Sequence, residues 1–183
     1  MLFQNRKLAV RKMKAKDRYI MAQWLSDPAV LEFYEGRDQP FTPEKIDEKF
    51  LNRDDGVTRC MVDYGGTNIG YIQFYPLDEE ERKIYGYEDE YIFGIDQFIG
   101  KTSYWNMGIG TLLVKSMVRY LIVEKNAYRV VMDPQVRNPR ALRCYEKCGF
   151  QKVKLLPKRE LHEGLYEDCW LIEYNTKGDE DGL

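Results

Sequence analysis

Residues 105–123 read WNMGIGTLLVKSMVRYLIV, and they carry the strongest structural signal in the chain. From Gly108 to Val123 apolar residues recur at helical intervals, which predicts an amphipathic helix. Two glycines, Gly108 and Gly110, stand where this helix begins. Glycines let backbone N–H groups approach an anion closely, and a helix N-terminus adds about half a positive charge. The junction predicts a pyrophosphate site, although two glycines entering a helix are also typical of a plain tight turn.

A second patterned helix follows after one short strand. Residues 138–150 read NPRALRCYEKCGF, in which Asn138 is an expected N-cap and Gly149 an expected stop. Before the first helix, residues 91–99 (YIFGIDQFI) form an apolar run that predicts a strand. Asp96 within that run is costly to bury unless it has a partner or a function. A turn cap or a solvated strand end is the structural alternative for this carboxylate.

The remaining segments predict further strands and helices of a single α/β domain. Asp17 is expected to cap the first helix, Thr42-Pro43 to start a helix reaching about Leu51, and Gly65-Gly66 to close a hairpin. Residues 76–87 are interpreted as a charged loop. We expect one domain over residues 1–175 and a disordered acidic tail over 176–183. The predicted strands are 7–13, 57–64, 69–75, 91–99, 128–132, 150–156 and 166–174; the predicted helices are 17–25, 28–34, 43–51, 108–123 and 138–147.

Composition excludes several classes of protein. The 183 residues fit one domain, and 28 basic against 30 acidic residues give a net charge of -2, which argues against a nucleic-acid binder. No apolar run approaches the roughly 18 residues of a membrane span, and no secretory signal is recognisable, so we expect a cytoplasmic protein with no membrane partner. Four cysteines, one histidine and no CxxC motif favour free thiols over a metal site, and no metal is expected.

The two patterned helices together resemble the GCN5-related N-acetyltransferases, the GNAT family. The phosphate loop of that family has the form (Q/R)-x-x-G-x-(G/A), and its later helix often reads N-x-x-A-x-x-x-Y-x-x-x-G-F, which residues 138–150 match at every named position. Trp105 stands at the Gln/Arg position of the loop and departs from the pattern. The resemblance implies an α/β (α+β) fold with a mixed, mostly antiparallel, twisted sheet of about seven strands flanked by helices. Two splayed strands of that sheet would form the acetyl-CoA cleft.

A narrower resemblance is to the aminoglycoside 6′-N-acetyltransferases, especially the acetyltransferase half of the bifunctional acetyltransferase-phosphotransferase resistance enzymes. It implies acetyl-CoA-dependent acetylation of the 6′-amino group of aminoglycosides such as kanamycin or tobramycin. The acetyl group would be transferred directly in a ternary complex, and the modification would confer resistance. The segments that carry it are LEFYEGRD (31–38), GIDQFIG (94–100), YWNMGIGT (104–111), Asp133-Pro134 and LHEG (161–164).

The resemblance also implies roles for individual residues. Asp96 would bind the 6′-ammonium and take its proton, directly or through water, and Tyr145 would protonate the departing CoA thiolate. For Tyr145 the structural alternative is an ordinary core tyrosine. The residues expected to bind acetyl-CoA are Phe98, Ile99, Asn106, Met107, Gly108, Ile109, Gly110, Thr111 and Asn138.

The acceptor implied is a polycation, so its site should present carboxylates. Residues 78–90 contain seven acidic and two basic residues. This acidic excess could attract a cationic substrate, or it could be a run of charges that only faces solvent. With Asp96, the expected substrate carboxylates are Asp133, Glu163, Glu80 and Glu81. Asp133 is alternatively a turn former before Pro134.

Two other functions fit the same residues. One is a GNAT enzyme acting on another amine, such as a polyamine, a siderophore precursor or a protein N-terminus. The other is an acetyl-CoA-binding module without catalysis, against which the presence of both Asp96 and Tyr145 counts. The sequence leaves open the preferred aminoglycoside, any O-acetylation, the kinetic order and the oligomeric state.

Overall fold

The computed structural model describes residues 1–88 and 91–176, which contain eight strands and six α-helices. The strands are β1 (Phe3–Asn5), β2 (Leu8–Lys12), β3 (Thr58–Tyr64), β4 (Thr67–Pro76), β5 (Ile92–Ile99), β6 (Arg129–Met132), β7 (Gln151–His162) and β8 (Leu165–Asn175). The helices are α1 (Arg18–Trp24), α2 (Pro28–Leu31), α3 (Pro43–Ile46, continued by a π-helical segment, Asp47–Leu51), α4 (Glu79–Tyr85), α5 (Ile109–Lys125) and α6 (Pro139–Lys147).

The strands join one sheet in the order β1-β2-β3-β4-β5-β6-β8-β7. β5 and β6 are parallel, whereas β1–β2, β2–β3 and β6–β8 are antiparallel. The expected mixed, mostly antiparallel sheet is confirmed. The described residues hold eight strands rather than about seven because the short β1 pairs with β2, which begins after a turn with Arg6 at positive φ.

The chain forms two compact units. The first contains Met1–Gln73, Asp96–Gly110 and His162–Leu165. The second contains Phe74–Ile95, Thr111–Leu161 and the described residues from Tyr166 onward. The seven residues 177–183, on which most of the expected tail falls, lie outside the described residues, as do Asp89 and Glu90.

The core of the first unit lies between α1, α2, α3 and the adjoining strands. Met21 and Leu25 from the first helix and Ile46 from α3 are fully buried, which fits the helical spacing of apolar residues in both segments. Trp24 packs edge-on against Phe98, with ring centroids 6.2 Å apart. Gly100 lies under the same indole, and a Cβ there would come within 2.3 Å of it, so this position requires glycine.

The core of the second unit includes one face of α5. Leu113, Met117 and Leu121 on that face are fully buried, as the period of residues 108–123 predicts. A second cluster in this unit contains Leu77, Tyr85, Ile92, Val131, Leu156, Cys169 and Leu171.

The pairing of β5 with β6 ends part-way along β5. The ladder runs from Ile92–Arg129 to Gly94–Val131. β5 itself continues to Ile99, so the backbone of its last residues lies beyond that ladder. The segment that carries Asp96 is therefore the part of β5 that follows the end of the parallel pairing.

Two local predictions are wrong, and the predicted strand 150–156 is too short, because β7 continues beside β8 to His162. Asp17 does not cap α1, because its carboxylate instead accepts hydrogen bonds from the Lys14 backbone N–H and from the Arg11 guanidinium. The expected loop at residues 76–87 contains α4. Asp78 caps this helix through a hydrogen bond from Glu81 N, and Gly86 ends it at a φ of +82°.

All four cysteines are free thiols. Among residues 1–88 and 91–176, no three His, Cys, Asp or Glu side chains converge in a way that could hold a metal ion. In the same ranges, none of the helices has the length and apolar character needed to cross a membrane.

Candidate active site

Asp96 is held by a short hydrogen-bonded chain inside the first unit. Gln73 Nε2 donates to Asp96 Oδ2 over 2.8 Å, and Tyr71 OH donates to Gln73 Oε1 over 2.7 Å. Tyr71 is fully buried and stacks on Phe98, with ring centroids 5.5 Å apart. Burial raises the pKa of Tyr71 well above its ordinary value, so its hydroxyl stays a donor. The half-buried Asp96 carboxylate thus has a fixed orientation in the second half of β5.

The loop between β5 and α5 exposes backbone immediately before a long helix. Asn106 and Gly108 have φ values of 58° and 76°, in the left-handed region, and Asn106, Met107 and Gly108 are exposed. Ile109, the first residue of α5, is only 3% exposed and anchors the helix start. Left-handed turns that precede a helix N-terminus direct successive N–H groups to one side, which suits an anion.

Trp105, the departure from the family pattern, has a structural role in this loop. Its indole Nε1 donates to Ile99 O over 2.8 Å. This hydrogen bond ties the loop back to the end of β5. The indole therefore fixes the position of the loop, and it brings no charge to an anion bound there.

Glu163 lies in the turn between β7 and β8 and is already paired. Arg37 donates to it through its backbone N at 3.0 Å, through Nε at 2.6 Å and through Nη2 at 2.8 Å. These hydrogen bonds lower the pKa of Glu163 to about 2. The arginine comes from the LEFYEGRD segment, so two of the segments that carry the resemblance meet in this ion pair.

Asp133, in the second unit, also has an arginine partner. Its Oδ2 accepts from Tyr85 OH at 3.1 Å and from Arg159 Nε at 3.3 Å, and Arg159 Nη2 donates to Tyr85 OH at 3.1 Å. Burial raises the pKa of Asp133, and the arginine charge opposes that shift. The three side chains form a closed polar cluster.

The acidic residues of the charged segment lie on a helix rather than a loop. Glu80 is exposed, whereas Glu81 is partly buried and its pKa is raised by that burial and by the charges of Asp78 and Asp133. The sequence carried every signal of this helix. It has an Asp N-cap, acidic residues in the first turn, basic residues in the last turn and a glycine after it.

Tyr145 and Asn138 lie at opposite ends of α6. Tyr145 is 6% exposed and packs against Phe150, with ring centroids 6.3 Å apart. Asn138 caps the helix, since its Oδ1 accepts from Ala141 N at 3.2 Å. The capping prediction is confirmed, and the cosubstrate role of Asn138 stays a prediction. Thr111, the last residue of the predicted cosubstrate loop, lies in the first turn of α5 and contacts Cys144.

The family model of the acetyltransferase (GNAT) domain matches residues 14–157. The chain therefore belongs to the GNAT acetyltransferase family. Among its relatives, aminoglycoside N(6')-acetyltransferase type 1 of Klebsiella pneumoniae is 30% identical over 152 residues, which are 81% of this chain and 76% of the relative. A kanamycin resistance protein of Rhizobium radiobacter is 39% identical over 64 residues, or 35% of this chain and 59% of the relative.

Solved structures share the fold over nearly the whole chain. Aminoglycoside acetyltransferase AAC(6')-Ib in complex with coenzyme A and kanamycin has a TM-score of 0.81 at 24% identity, covering 96% of this chain and 98% of that one. Spermidine N-acetyltransferase from Vibrio cholerae, in complex with CoA and spermine, has a TM-score of 0.76 at 18% identity, covering 94% and 98%. The predicted GNAT fold is confirmed.

Proposed function

We propose that this chain transfers the acetyl group of acetyl-CoA to the 6′-amino group of an aminoglycoside such as kanamycin or tobramycin, and so confers resistance. The observation that carries the proposal is the 30% identity, over 81% of the chain, to a relative named aminoglycoside N(6')-acetyltransferase. Since acetyl-CoA is an intracellular metabolite, a cytoplasmic location belongs to the same proposal.

The start of α5 and the end of β5 fit acetyl-CoA. Exposed left-handed backbone at Asn106 and Gly108, followed by the N-terminus of a 17-residue helix, supplies N–H donors and a favourable dipole for a pyrophosphate. The backbone of Phe98 and Ile99, beyond the β5–β6 ladder, is assigned to the pantetheine arm together with Asn138. The loop residues from Asn106 to Thr111 are assigned to the phosphates. When bound, acetyl-CoA supplies an acetyl group already activated as a thioester.

Asp96 is assigned two tasks. Its carboxylate attracts the 6′-ammonium, and it accepts a proton, directly or through water, so that the neutral amine can attack the thioester carbonyl. The hydrogen bond from Gln73 fixes the position of one carboxylate oxygen. The fixed orientation lowers the entropic cost of aligning the amine.

The other carboxylates are assigned to the remaining cationic groups of the substrate. Asp133 and Glu163 each form an ion pair with an arginine. A substrate ammonium would therefore replace the guanidinium as the partner of the carboxylate. Such an exchange conserves charge and avoids leaving a carboxylate uncompensated. Glu80 and Glu81 on α4 add negative potential that favours approach of a polycation.

Thiol release from acetyl-CoA tests the proposal, with kanamycin A, paromomycin and spermidine as parallel acceptors. Kanamycin A carries a 6′-amine and paromomycin a 6′-hydroxyl. We expect turnover with kanamycin A alone and a product acetylated at the 6′ nitrogen. Turnover with spermidine and not with kanamycin would show that the acetyl acceptor is a polyamine and not an aminoglycoside. No turnover with any acceptor, while acetyl-CoA still binds, would favour a non-catalytic module.

Tyr145→Phe is expected to lower kcat by about tenfold while the KM for kanamycin changes little. The phenol is assigned to protonate the departing thiolate, but a thiolate whose conjugate acid has a pKa near 8.5 leaves without full protonation. Steady-state kinetics measure the change, and Tyr91→Phe, at an exposed phenol, serves as the matched control. An unchanged kcat in Tyr145→Phe would leave Tyr145 as a core residue only.

Gly108→Ala is expected to weaken acetyl-CoA binding by about tenfold, because an L-residue at a φ of +76° costs about 1–2 kcal/mol and the loop relaxes away from that conformation. Gly66→Ala is the matched control. Gly66 also has a positive φ, is exposed and has open space where a Cβ would lie, but it belongs to the β3–β4 turn. Calorimetric titration with acetyl-CoA should separate the two variants, whereas equal Kd values would remove the loop from the cosubstrate site.

A further inference from the structure

Two thiols of α6 and its C-terminal cap lie against the first turn of α5. Cys144 Sγ is 3.5 Å from Thr111 Oγ1, and Cys148 Sγ is 3.6 Å from Thr111 O. Cys144 is partly exposed, whereas Cys148 is only 5% exposed. Residues four apart on a helix share a face, so the two sulfurs and Thr111 form one cluster. The reaction proposed above uses neither thiol.

The surroundings of Cys144 favour its thiolate. A hydrogen bond from Cys148 is the main cause that lowers the pKa of Cys144, and burial opposes it. The Thr111 hydroxyl and the positive charges of Lys147 and Arg140 lower it further. Thr111 is also the third residue of a 17-residue helix, whose N-terminal dipole favours a nearby anion. The same contact raises the pKa of Cys148, which therefore acts as the donor of the pair.

The other two cysteines provide a contrast within the same chain. Cys60 and Cys169 are 0% and 1% exposed. Burial raises the pKa of each of these thiols to about 12. Thiolate character and access both select Cys144 as the reactive cysteine.

We propose that Cys144 is a modification site for low-molecular-weight disulfides, and that the adduct prevents acetyl-CoA from binding at the start of α5. The Cys144 thiolate attacks one sulfur of a disulfide RSSR, the S–S bond breaks, and RS⁻ leaves and takes a proton from water. Cys144 is oxidised to the mixed disulfide Cys144–S–S–R, and the leaving half of RSSR is reduced to RSH. A thiol reductant reverses the step.

The effect on acetyl-CoA follows from position and rests on the proposed function. A group attached at Cys144 Sγ lies within contact of Thr111, the residue that follows Gly108-Ile109-Gly110 in the proposed phosphate loop. An added tripeptide-sized group would fill space beside the first turn of α5 and, with glutathione, add negative charge where the pyrophosphate is assigned. Cys148 is a positioning residue in this scheme, because it acts only through the Cys144 thiolate.

The test exposes the full-length protein to oxidised glutathione and follows the adduct by intact-mass spectrometry and peptide mapping. We expect one adduct, at Cys144, absent in Cys144→Ser and unchanged in the control Cys169→Ser. At about pH 5, below the pKa of Cys144, Cys148→Ala should slow adduct formation by about threefold for each unit by which that pKa rises, because the loss of thiolate outweighs its gain in nucleophilicity. Acetyl-CoA titrated into the adduct should bind at least about tenfold more weakly than to unmodified protein, and dithiothreitol should restore the Kd.

The outcomes separate the two parts of the proposal. No adduct, or an adduct on Cys60 or Cys169 instead, would overturn the modification site. A complete adduct at Cys144 with an unchanged Kd for acetyl-CoA would overturn its effect on binding. If the unmodified protein itself fails to bind acetyl-CoA, the proposed function fails and the effect on binding fails with it, whereas the adduct mass still decides whether Cys144 is the reactive thiol.

Discussion

Asp96→Asn is expected to lower kcat/KM for kanamycin by about 10²–10⁴-fold, the range typical of losing a general acid or base. Asparagine has the same shape and still accepts the hydrogen bond from Gln73 through Oδ1, so the fold and the orientation of the side chain are retained. It can neither take the proton of the ammonium nor balance its charge. Initial rates of thiol release at varied kanamycin concentration measure the effect.

The control for this variant is Asp54→Asn, which removes one negative charge at an exposed position of the same unit. Asp54→Asn should keep wild-type kinetics, and both variants should bind acetyl-CoA with the wild-type Kd. If Asp96→Asn retained activity within a few-fold of wild type, Asp96 would be a strand-end carboxylate and the base would have to be sought elsewhere. The membership of the chain in the GNAT family would stand.

Asp17→Asn is expected to cost about 3 kcal/mol of the free energy of unfolding at pH 7. Asp17 is 4% exposed, and its carboxylate accepts hydrogen bonds from Nη1 and Nη2 of Arg11 over 2.7 and 2.8 Å. Removing one charge of a buried pair leaves the other uncompensated, at a typical cost of about 3–5 kcal/mol. Arg11 is 21% exposed, which places the expected loss at the lower end of that range. Chemical denaturation measures it.

The same pair makes stability depend on pH. Hydrogen bonds from Arg11 and Lys14, with the charge of Arg11, outweigh burial and lower the pKa of Asp17 below its ordinary value of 3.8. A carboxyl with a lowered pKa contributes stability above its unfolded pKa and loses it as the pH falls through the folded pKa. The difference between wild type and Asp17→Asn should therefore be full at pH 7 and shrink below about pH 4.

Asp47→Asn offers the comparison, because Asp47 pairs with Arg18 at a more exposed position, with side chains 25% and 36% exposed. Exposed ion pairs contribute little, so the loss should be much smaller than for Asp17→Asn. Equal losses in the two variants would contradict a special role for the buried pair. A pH-independent loss in Asp17→Asn would point to packing rather than charge.

Elements whose signals are local are predictable from the sequence, and α4 is the exception. The helix over residues 108–123, the cap at Asn138 and the hairpin at Gly65-Gly66 follow from spacing and from single capping or turn residues. The caps of α4 are present in the sequence, but the high charge of residues 76–87 favours a loop there. Asp17 was misjudged because an aspartate before a helix is usually a cap, whereas here an arginine on a neighbouring strand competes for it.

For the candidate site, the sequence predicts the carboxylates but not their hydrogen-bond partners. The identities of Asp96, Asp133 and Glu163 followed from motifs that resemble a known family. Their partners did not, because Gln73 is 23 residues from Asp96 and Arg37 is 126 residues from Glu163. No sequence spacing marks such pairs. Each of these arginines already compensates the charge of its carboxylate, which no motif in the sequence indicates.

Residue spacing is enough to place the two long helices and the glycine-containing loop before α5. These features depend on residues within one or two turns of each other, and local conformational preferences fix them. The family resemblance is also visible in the sequence, but it rests on motifs spread from residue 31 to residue 164. The tertiary structure alone decided the hydrogen-bonded chain Tyr71–Gln73–Asp96, the arginine partners of two carboxylates and the thiol pair beside Thr111. Burial and charge compensation are properties of neighbours brought together by folding, so no reading of residues in order could assign them.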